Sequence, residues 1–163
     1  MSSLPPHDAR TQCVELLNDT VYHALGLKEI LLEEHNALQA QDTDSLEASV
    51  TNKSACVTRL QQLDKQRIDL CTACGFAAGA DQMARLIDWC DDKDELRNRW
   101  DQLLVVAAES SALNMTNGAI IRVRQQHFES SLAVLRGVNP GTDTYGPHGG
   151  EAGGFGHRSL AQA

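Results

Sequence analysis

The stretch DARTQCVELLNDTVYHALGLKEILLEEHNALQA, residues 8–40, decides the fold, because its mainly apolar residues recur at alternating spacings of four and three. The stripe consists of Cys13, Leu17, Thr20, Ala24, Leu27, Leu31 and Leu38, with one gap at Glu34. This heptad-like spacing predicts one helix of about 50 Å at 1.5 Å per residue. Because a single helix of this kind is unstable in water, the stripe must pack against a partner.

The following segment predicts a second helix that folds back on the first. After a break at residues 41–44, Asp44 and Glu47 resemble a capping box, in which each carboxylate accepts from a free backbone N–H. Gly75 suits the left-handed position after a helix C-terminus. The apolar residues between these ends are Leu46, Val50, Val57, Leu60, Leu63, Ile68 and Leu70. The short connection implies an antiparallel pair of helices.

A short helix and a third long helix complete the predicted body. The short helix is expected to be capped by Asp81, and the acidic cluster within 88–95 marks a break after it. The third long helix is predicted from Lys93 to Arg136, with Gly137 as its stop. Its stripe consists of Leu96, Trp100, Leu103, Ala107, Asn114, Asn117, Ile121, Arg124, Phe128 and Leu135.

Composition supports helix throughout this body. Residues 8–137 contain no proline, and aromatic residues make up only 4% of the chain. Strands would need clusters of β-branched and aromatic residues, which the sequence lacks. We therefore expect an all-α domain over residues 1–136, in which three long antiparallel helices and one short helix form a coiled-coil-like bundle.

The segment 137–163 differs abruptly in composition. Eight of its residues are glycine and the apolar periodicity ends. Such a segment cannot bury enough apolar surface to offset the entropy of ordering it, so a flexible tail is predicted. Its isolated apolar residues, Tyr145, Phe155 and Leu160, are candidate anchors for a partner.

Charge and targeting signals restrict the function. The net charge is −8, whereas proteins that bind nucleic acid usually present a basic face. No apolar run reaches the ~20 residues that span a bilayer, and the N-terminus MSSLPPHDAR lacks the features of a secretory signal. Five cysteines are therefore expected to be free thiols in a cytoplasmic protein that neither binds nucleic acid nor inserts into a membrane.

The residues with chemical potential do not form a recognisable active site. Cys71 and Cys74 form a CxxC, but at a helix C-terminus, where the dipole does not favour a thiolate. The simpler interpretation is a pair of small buried residues; the alternative is a redox or metal site. The six histidines are scattered, and no nucleotide-binding or hydrolase motif occurs. We expect no enzyme activity and no cofactor.

The segment Asn114-Met115-Thr116-Asn117-Gly118 is more informative. Asn114 and Asn117 interrupt the apolar stripe of the third helix, and Gly118 costs about 1 kcal/mol relative to alanine in a helix. One interpretation is a register-setting polar layer, with the glycine allowing close helix approach. The other is a partner-binding groove, in which the asparagines bond an incoming chain. Its apolar floor would be Ile120, Ile121, Phe128, Leu132 and Leu135.

Two motifs resemble the FlgN family of flagellar type III export chaperones. The first is the NxxNG at 114–118, followed by Ile120 and Ile121. The second is Thr144-Tyr145-Gly146-Pro147-His148-Gly149, similar to the family's tail motif. The N-terminal part adds a family-like run at 31–38, so the resemblance covers most of the chain.

The resemblance implies long antiparallel helices and a chaperone that binds the C-terminal helical segments of the hook-associated proteins FlgK and FlgL. It also implies that Tyr145 and Gly146 dock on the export gate protein FlhA. The expected substrate-binding residues are Asn114, Asn117, Gly118, Ile120, Ile121, Arg124, Phe128, Leu132 and Leu135. The apolar stripe at 120–135 would also allow a weak homodimer. The alternative function is a structural coiled-coil adaptor without chaperone activity.

Overall fold

The computed structural model describes residues 4–137, and this part of the chain folds into helices without a strand. The four helices are α1 (Pro6–Ala40), α2 (Thr43–Ala73), α3 (Gln82–Cys90) and α4 (Glu95–Leu135). The predicted all-α class, with three long helices and one short helix, is confirmed. The coiled-coil-like character of their packing stays a prediction.

The cap of α2 lies two residues earlier than predicted. Asp42 is in an extended conformation, and its side chain accepts from the backbone N–H of Ser45 at 3.1 Å. Asp44 already belongs to the first turn, so the predicted capping box starting at Asp44 is wrong. The hydrogen bonds to Ser45 hold the pKa of Asp42 below its ordinary value. Sequence reasoning chose the wrong one of two aspartates because both have the same local chemistry.

The end of α2 confirms the predicted glycine cap. Gly75 has a φ of 88°, which an L side chain rarely adopts. Its N–H donates to the Thr72 carbonyl oxygen at 2.9 Å, and the Phe76 N–H donates to the Cys71 carbonyl oxygen at 2.9 Å. These two bonds form a Schellman motif, which satisfies carbonyls that the helix leaves free.

The predicted break after α3 is present, but the cap of α3 differs. Asp81 precedes α3 without making a side-chain cap bond, and its carboxylate instead pairs with Arg85 at 3.2 Å. In the acidic turn, Asp94 has a positive φ of 54° and Asp91 accepts from the backbone N–H of Arg97 at 3.1 Å. Helix α4 therefore begins at Glu95 and not at Lys93.

Successive long helices run in opposite directions, so each is antiparallel to the next long helix in the chain. Along α2, contacts with α1 occur at falling residue numbers: Lys53 with Glu34, Cys56 with His23 and Arg59 with Asp19. Along α4 they occur at rising numbers: Glu95 with Arg10, Glu109 with Lys28 and Asn117 with Leu31. Thus α1 is antiparallel to α2 and parallel to α4, because α2 returns the chain to the end where α1 starts and α4 begins at that end.

The main apolar core lies at that end, where α1, α2 and α3 meet the start of α4. It consists of Ala9, Cys13, Leu17, Leu70, Cys71, Cys74, Met83, Leu86, Ile87, Cys90 and Leu96. Helix α3 contributes four of these residues although it has only nine. Its function in the fold is to close this end of the α1–α2 pair.

The chain divides into two compact units, Met1–Arg122 and Val123–Ala163. Within the second unit, α4 runs to Leu135, and Gly137 has a φ of 74° and donates to the Val134 carbonyl oxygen at 3.0 Å. Gly137 therefore follows the end of α4, as predicted. The predicted flexible tail lies outside the described residues apart from Gly137.

We expect the change Asp42→Ala to lower the melting temperature at neutral pH, because the first turn of α2 loses its acceptor. The pKa of Asp42 is depressed in the folded protein, so its stabilisation is present above the ordinary aspartate pKa of about 3.9 and is lost as the pH falls through the lower folded value. Circular dichroism melts over a pH series measure this difference. The difference in melting temperature between wild type and Asp42→Ala should become smaller in acid.

The variant Asp44→Ala is the matched control, since Asp44 is exposed and only supplies a charge to the first turn. A smaller effect is expected from it. Equal losses from the two variants would contradict the assignment of Asp42 as the cap.

Candidate partner-binding surfaces

The second asparagine of the NxxNG motif is buried inside the protein. Asn117 is 1% exposed, and its side-chain Nδ2 donates to the Leu31 carbonyl oxygen and to Glu34 Oε2, both at 2.9 Å. Its Oδ1 lies 2.9 Å from His35 Nδ1. An amide oxygen can only accept, so the histidine nitrogen is the donor. Asn117 is therefore bonded through both polar atoms to α1.

Glu34 is the centre of this polar layer. Its side chain is 2% exposed, and Lys53 Nζ of α2 donates to both carboxylate oxygens at 3.0 and 3.1 Å. With the bond from Asn117, the carboxylate accepts from α2 and from α4. Gln39 bonds the other nitrogen of His35 at 2.9 Å. We call Glu34, His35, Lys53 and Asn117 the polar layer.

The polar layer matches the register-setting interpretation of the asparagine motif. A buried carboxylate without partners would be strongly destabilising, so only the register that brings Lys53 and Asn117 to Glu34 is acceptable. Sequence reasoning named Asn117 but missed its partners Glu34 and His35, and it missed Lys53, which donates to Glu34. The available signal was the gap at Glu34 in the apolar stripe of α1, because a charge at a core position needs a partner.

The other residues of the motif face different surroundings. No atom of the described residues beyond its own helical neighbourhood lies within 4 Å of a Cβ built on Gly118, so the expected close helix approach is wrong. Asn114 is exposed and borders an apolar groove. Ile120 and Ile121 are half-buried. In this motif, Asn117 is a buried structural residue, whereas Asn114 is exposed and Gly118 has open space beside it.

That apolar groove runs along α1 between α2 and α4. Sequence reasoning offered a groove at the asparagines but placed its apolar floor at residues 120–135, which do not line this one. It has two hollows, of about 350 and 240 Å³, which share Leu103 and Ala107 in their linings. Leu27 and Leu31 of α1 and Leu60 of α2 complete the wider hollow. Except for Leu31, these side chains are only partly buried or exposed. The three long helices therefore leave apolar surface open at mid-length.

The C-terminal part of α4, in the second unit, carries apolar side chains that face solvent. Phe128 is 65% exposed and Leu135 is 82% exposed, while Arg124 and Leu132 are half-buried. These four residues follow one another at helical spacings of four, four and three and so share one face. They are the predicted substrate-binding residues of this unit. Val134 adds a further exposed apolar side chain, at 63%.

Four of the five cysteines meet in the apolar core. Cys71 and Cys74 are joined there by Cys13 of α1 and Cys90 of α3. Burial is the largest cause that raises the pKa of each of these thiols. Raised thiol pKa values disfavour the reactive thiolate, as the structural interpretation of the CxxC requires. Within residues 4–137, no group of three or more potential metal-ligating side chains is placed to hold an ion.

These features define the class: an all-helical protein with an internal polar layer and solvent-facing apolar surfaces, which in helical proteins commonly receive polypeptide segments. Between Leu4 and Gly137, none of the helices combines the length and hydropathy needed to cross a membrane.

A family model described as FlgN protein matches residues 9–153. The chain therefore belongs to the FlgN family, and the resemblance found in the sequence is confirmed. This is a family of flagellar export chaperones, not known as enzymes, and the general class of the protein follows from it. No curated protein and no solved structure gives a match to the chain.

We expect Asn117→Ala to lower the free energy of unfolding by about 2–4 kcal/mol, because Glu34 and the Leu31 carbonyl lose a donor in a buried place. Urea denaturation followed by circular dichroism measures the loss. The control is Asn114→Ala in the same motif, which should stay within about 0.5 kcal/mol of wild type because Asn114 is exposed. A similar loss from both variants would show that the polar layer is not the structural element.

Proposed function

We propose that the protein is a cytoplasmic chaperone that binds the C-terminal helical segments of FlgK and FlgL, prevents their premature assembly and delivers them to the export gate. The observation that carries the proposal is the pair of exposed apolar side chains Phe128 and Leu135, which share one face of α4 with the half-buried Leu132 in a FlgN-family chain. Apolar side chains this exposed are expected where a partner covers them.

The physical mechanism requires binding alone. A filament-joining subunit has amphipathic terminal helices that must not associate before export. A chaperone covers such a helix by packing apolar side chains against its apolar stripe. This lowers the free concentration of the adhesive segment without any nucleotide.

Delivery would use the tail motif. Tyr145 and Gly146 lie outside the described residues, and their assignment to FlhA rests on the resemblance of the motif. A short motif buries little area when it docks, so the contact should be weak and reversible. A weak contact suits a chaperone that must leave the gate after each delivery.

Full-length protein co-expressed with FlgK or with FlgL should yield soluble complexes. The double change Phe128→Ser with Leu135→Ser should weaken binding at least tenfold in calorimetry, because two exposed apolar contacts are lost. The control is His127→Ser with Glu129→Ser, two exposed neighbours of Phe128 that do not share its face. The proposal fails if wild-type protein binds neither protein nor its isolated C-terminal segment.

The change Tyr145→Ala should leave the affinity for FlgK and FlgL near that of wild type and reduce their export from flagellated cells. The two effects separate because the tyrosine would act at the gate and not at the substrate. Calorimetry and secretion assays on the same variant check this. Loss of substrate affinity would instead place the tail motif in the substrate site.

A further inference from the structure

The apolar groove between α2 and α4 is long enough for one face of a short helix to lie along α1. Its floor extends along α1 from Leu16 to Leu31, which is about 22 Å at 1.5 Å per residue. This length matches about four turns of helix. The walls at mid-length are Leu60 of α2 and Leu103 with Ala107 of α4. A fourth helix would cover the side chains that the three long helices leave partly exposed.

The groove contains a buried polar group that lacks a partner. Ser110 lines the wider hollow and is only 6% exposed, yet its hydroxyl makes no hydrogen bond within the described part of the chain. A buried hydroxyl without a partner is destabilising, and most such groups in folded proteins are satisfied. The position of Ser110 therefore indicates a missing group with hydrogen-bonding capacity next to an apolar surface.

Charge complementarity restricts the contact face of an occupant to neutral residues. Lys53, at one end of the groove, is already paired with Glu34. At the other end, Asp64 is paired with Arg67 at 2.9 Å. A charged side chain inserted between them would lose water without gaining an ion pair. The occupant must therefore present apolar side chains with at most one neutral polar group near Ser110.

Backbone hydrogen bonding favours a helical occupant over an extended one. The groove is walled by helices, whose mid-length N–H and C=O groups are bonded within each helix. An extended peptide would bury its own amides there without partners, whereas a helix satisfies them internally. The structure offers no sheet edge to receive a strand within residues 4–137.

We propose that this groove binds an amphipathic α-helix of about four turns from an export substrate, with its apolar stripe on Leu27, Leu60 and Leu103 and a neutral polar residue bonded to Ser110. This proposal rests on the proposed function and adds a second substrate contact to the C-terminal part of α4. The polar layer closes one end of the groove and limits how far the helix can slide.

The test compares Ala107→Trp with Ala108→Trp in full-length protein. Both alanines are exposed, but only Ala107 lines the groove, so only its replacement fills the space. Two probes are titrated by calorimetry: the C-terminal segment of FlgK, and a designed 16-residue peptide with leucines on one helical face and glutamine and serine elsewhere. We expect Ala107→Trp to lower the affinity for both peptides at least tenfold. Ala108→Trp should change either affinity less than twofold.

Equal binding by the two variants would overturn the groove proposal. If the FlgK segment binds wild type and Ala107→Trp alike, the groove proposal fails and the proposed function stands. If FlgK and FlgL fail to bind wild type while the designed peptide is blocked only by Ala107→Trp, the proposed function and the export-substrate occupant both fail, and only helix binding by the groove is supported. Circular dichroism melts confirm that both variants are folded.

The variant Ser110→Ala tests the hydroxyl contact, and light scattering tests whether a second copy fills the groove. Removing the unpartnered hydroxyl should raise the melting temperature of the free protein and lower its affinity for the FlgK segment several-fold. Unchanged affinity would overturn the assigned contact to Ser110. A wild-type dimer that Ala107→Trp converts to a monomer would show that a second copy fills the groove, and would overturn the proposed occupant.

Discussion

The structure depends on the carboxylate of Glu34, which is held away from water at a position where the apolar stripe of α1 would otherwise have a leucine or alanine. A buried charge is tolerated only when donors surround it. Lys53 provides them from α2 and Asn117 from α4, so one side chain ties the three long helices together at one level. Apolar contacts alone would allow neighbouring registers of similar energy, and the polar layer excludes them.

The polar layer and the apolar core with α3 stabilise two separate places along the long helices. At the core end, α3 covers the thiols and leucines of α1 and α2. At the polar layer, the hydrogen bond between Glu34 and Asn117 fixes the position of α4 along α1. Between them, no fourth element within residues 4–137 covers the helices, and the groove with Ser110 is the result. Tight packing at both ends lets the middle remain open without loss of the fold.

This division suits a family of export chaperones. A protein that binds a helix reversibly needs apolar surface that is exposed in the free state but does not collapse onto itself. Asn117 attaches α4 to α1 next to the groove. The second unit, taken by itself, carries the exposed Phe128 and Leu135 on α4. Binding energy can then come from covering existing surface rather than from refolding the chaperone.

The sequence by itself determined the helices, their ends at Gly75 and Gly137, and the family, because periodicity, glycine caps and short motifs are local in the chain. It also marked Glu34 and Asn117 as exceptions in their stripes. Only the tertiary structure decided that these two residues bond each other, that Asp42 and not Asp44 caps α2, and that a groove lies beside Ser110. For Glu34 and Asn117 the reason is their separation in the chain, because a hydrogen bond across 83 residues depends on helix register, which local patterns do not encode. For the cap, Asp42 and Asp44 have the same local chemistry, so only the backbone conformation distinguishes them.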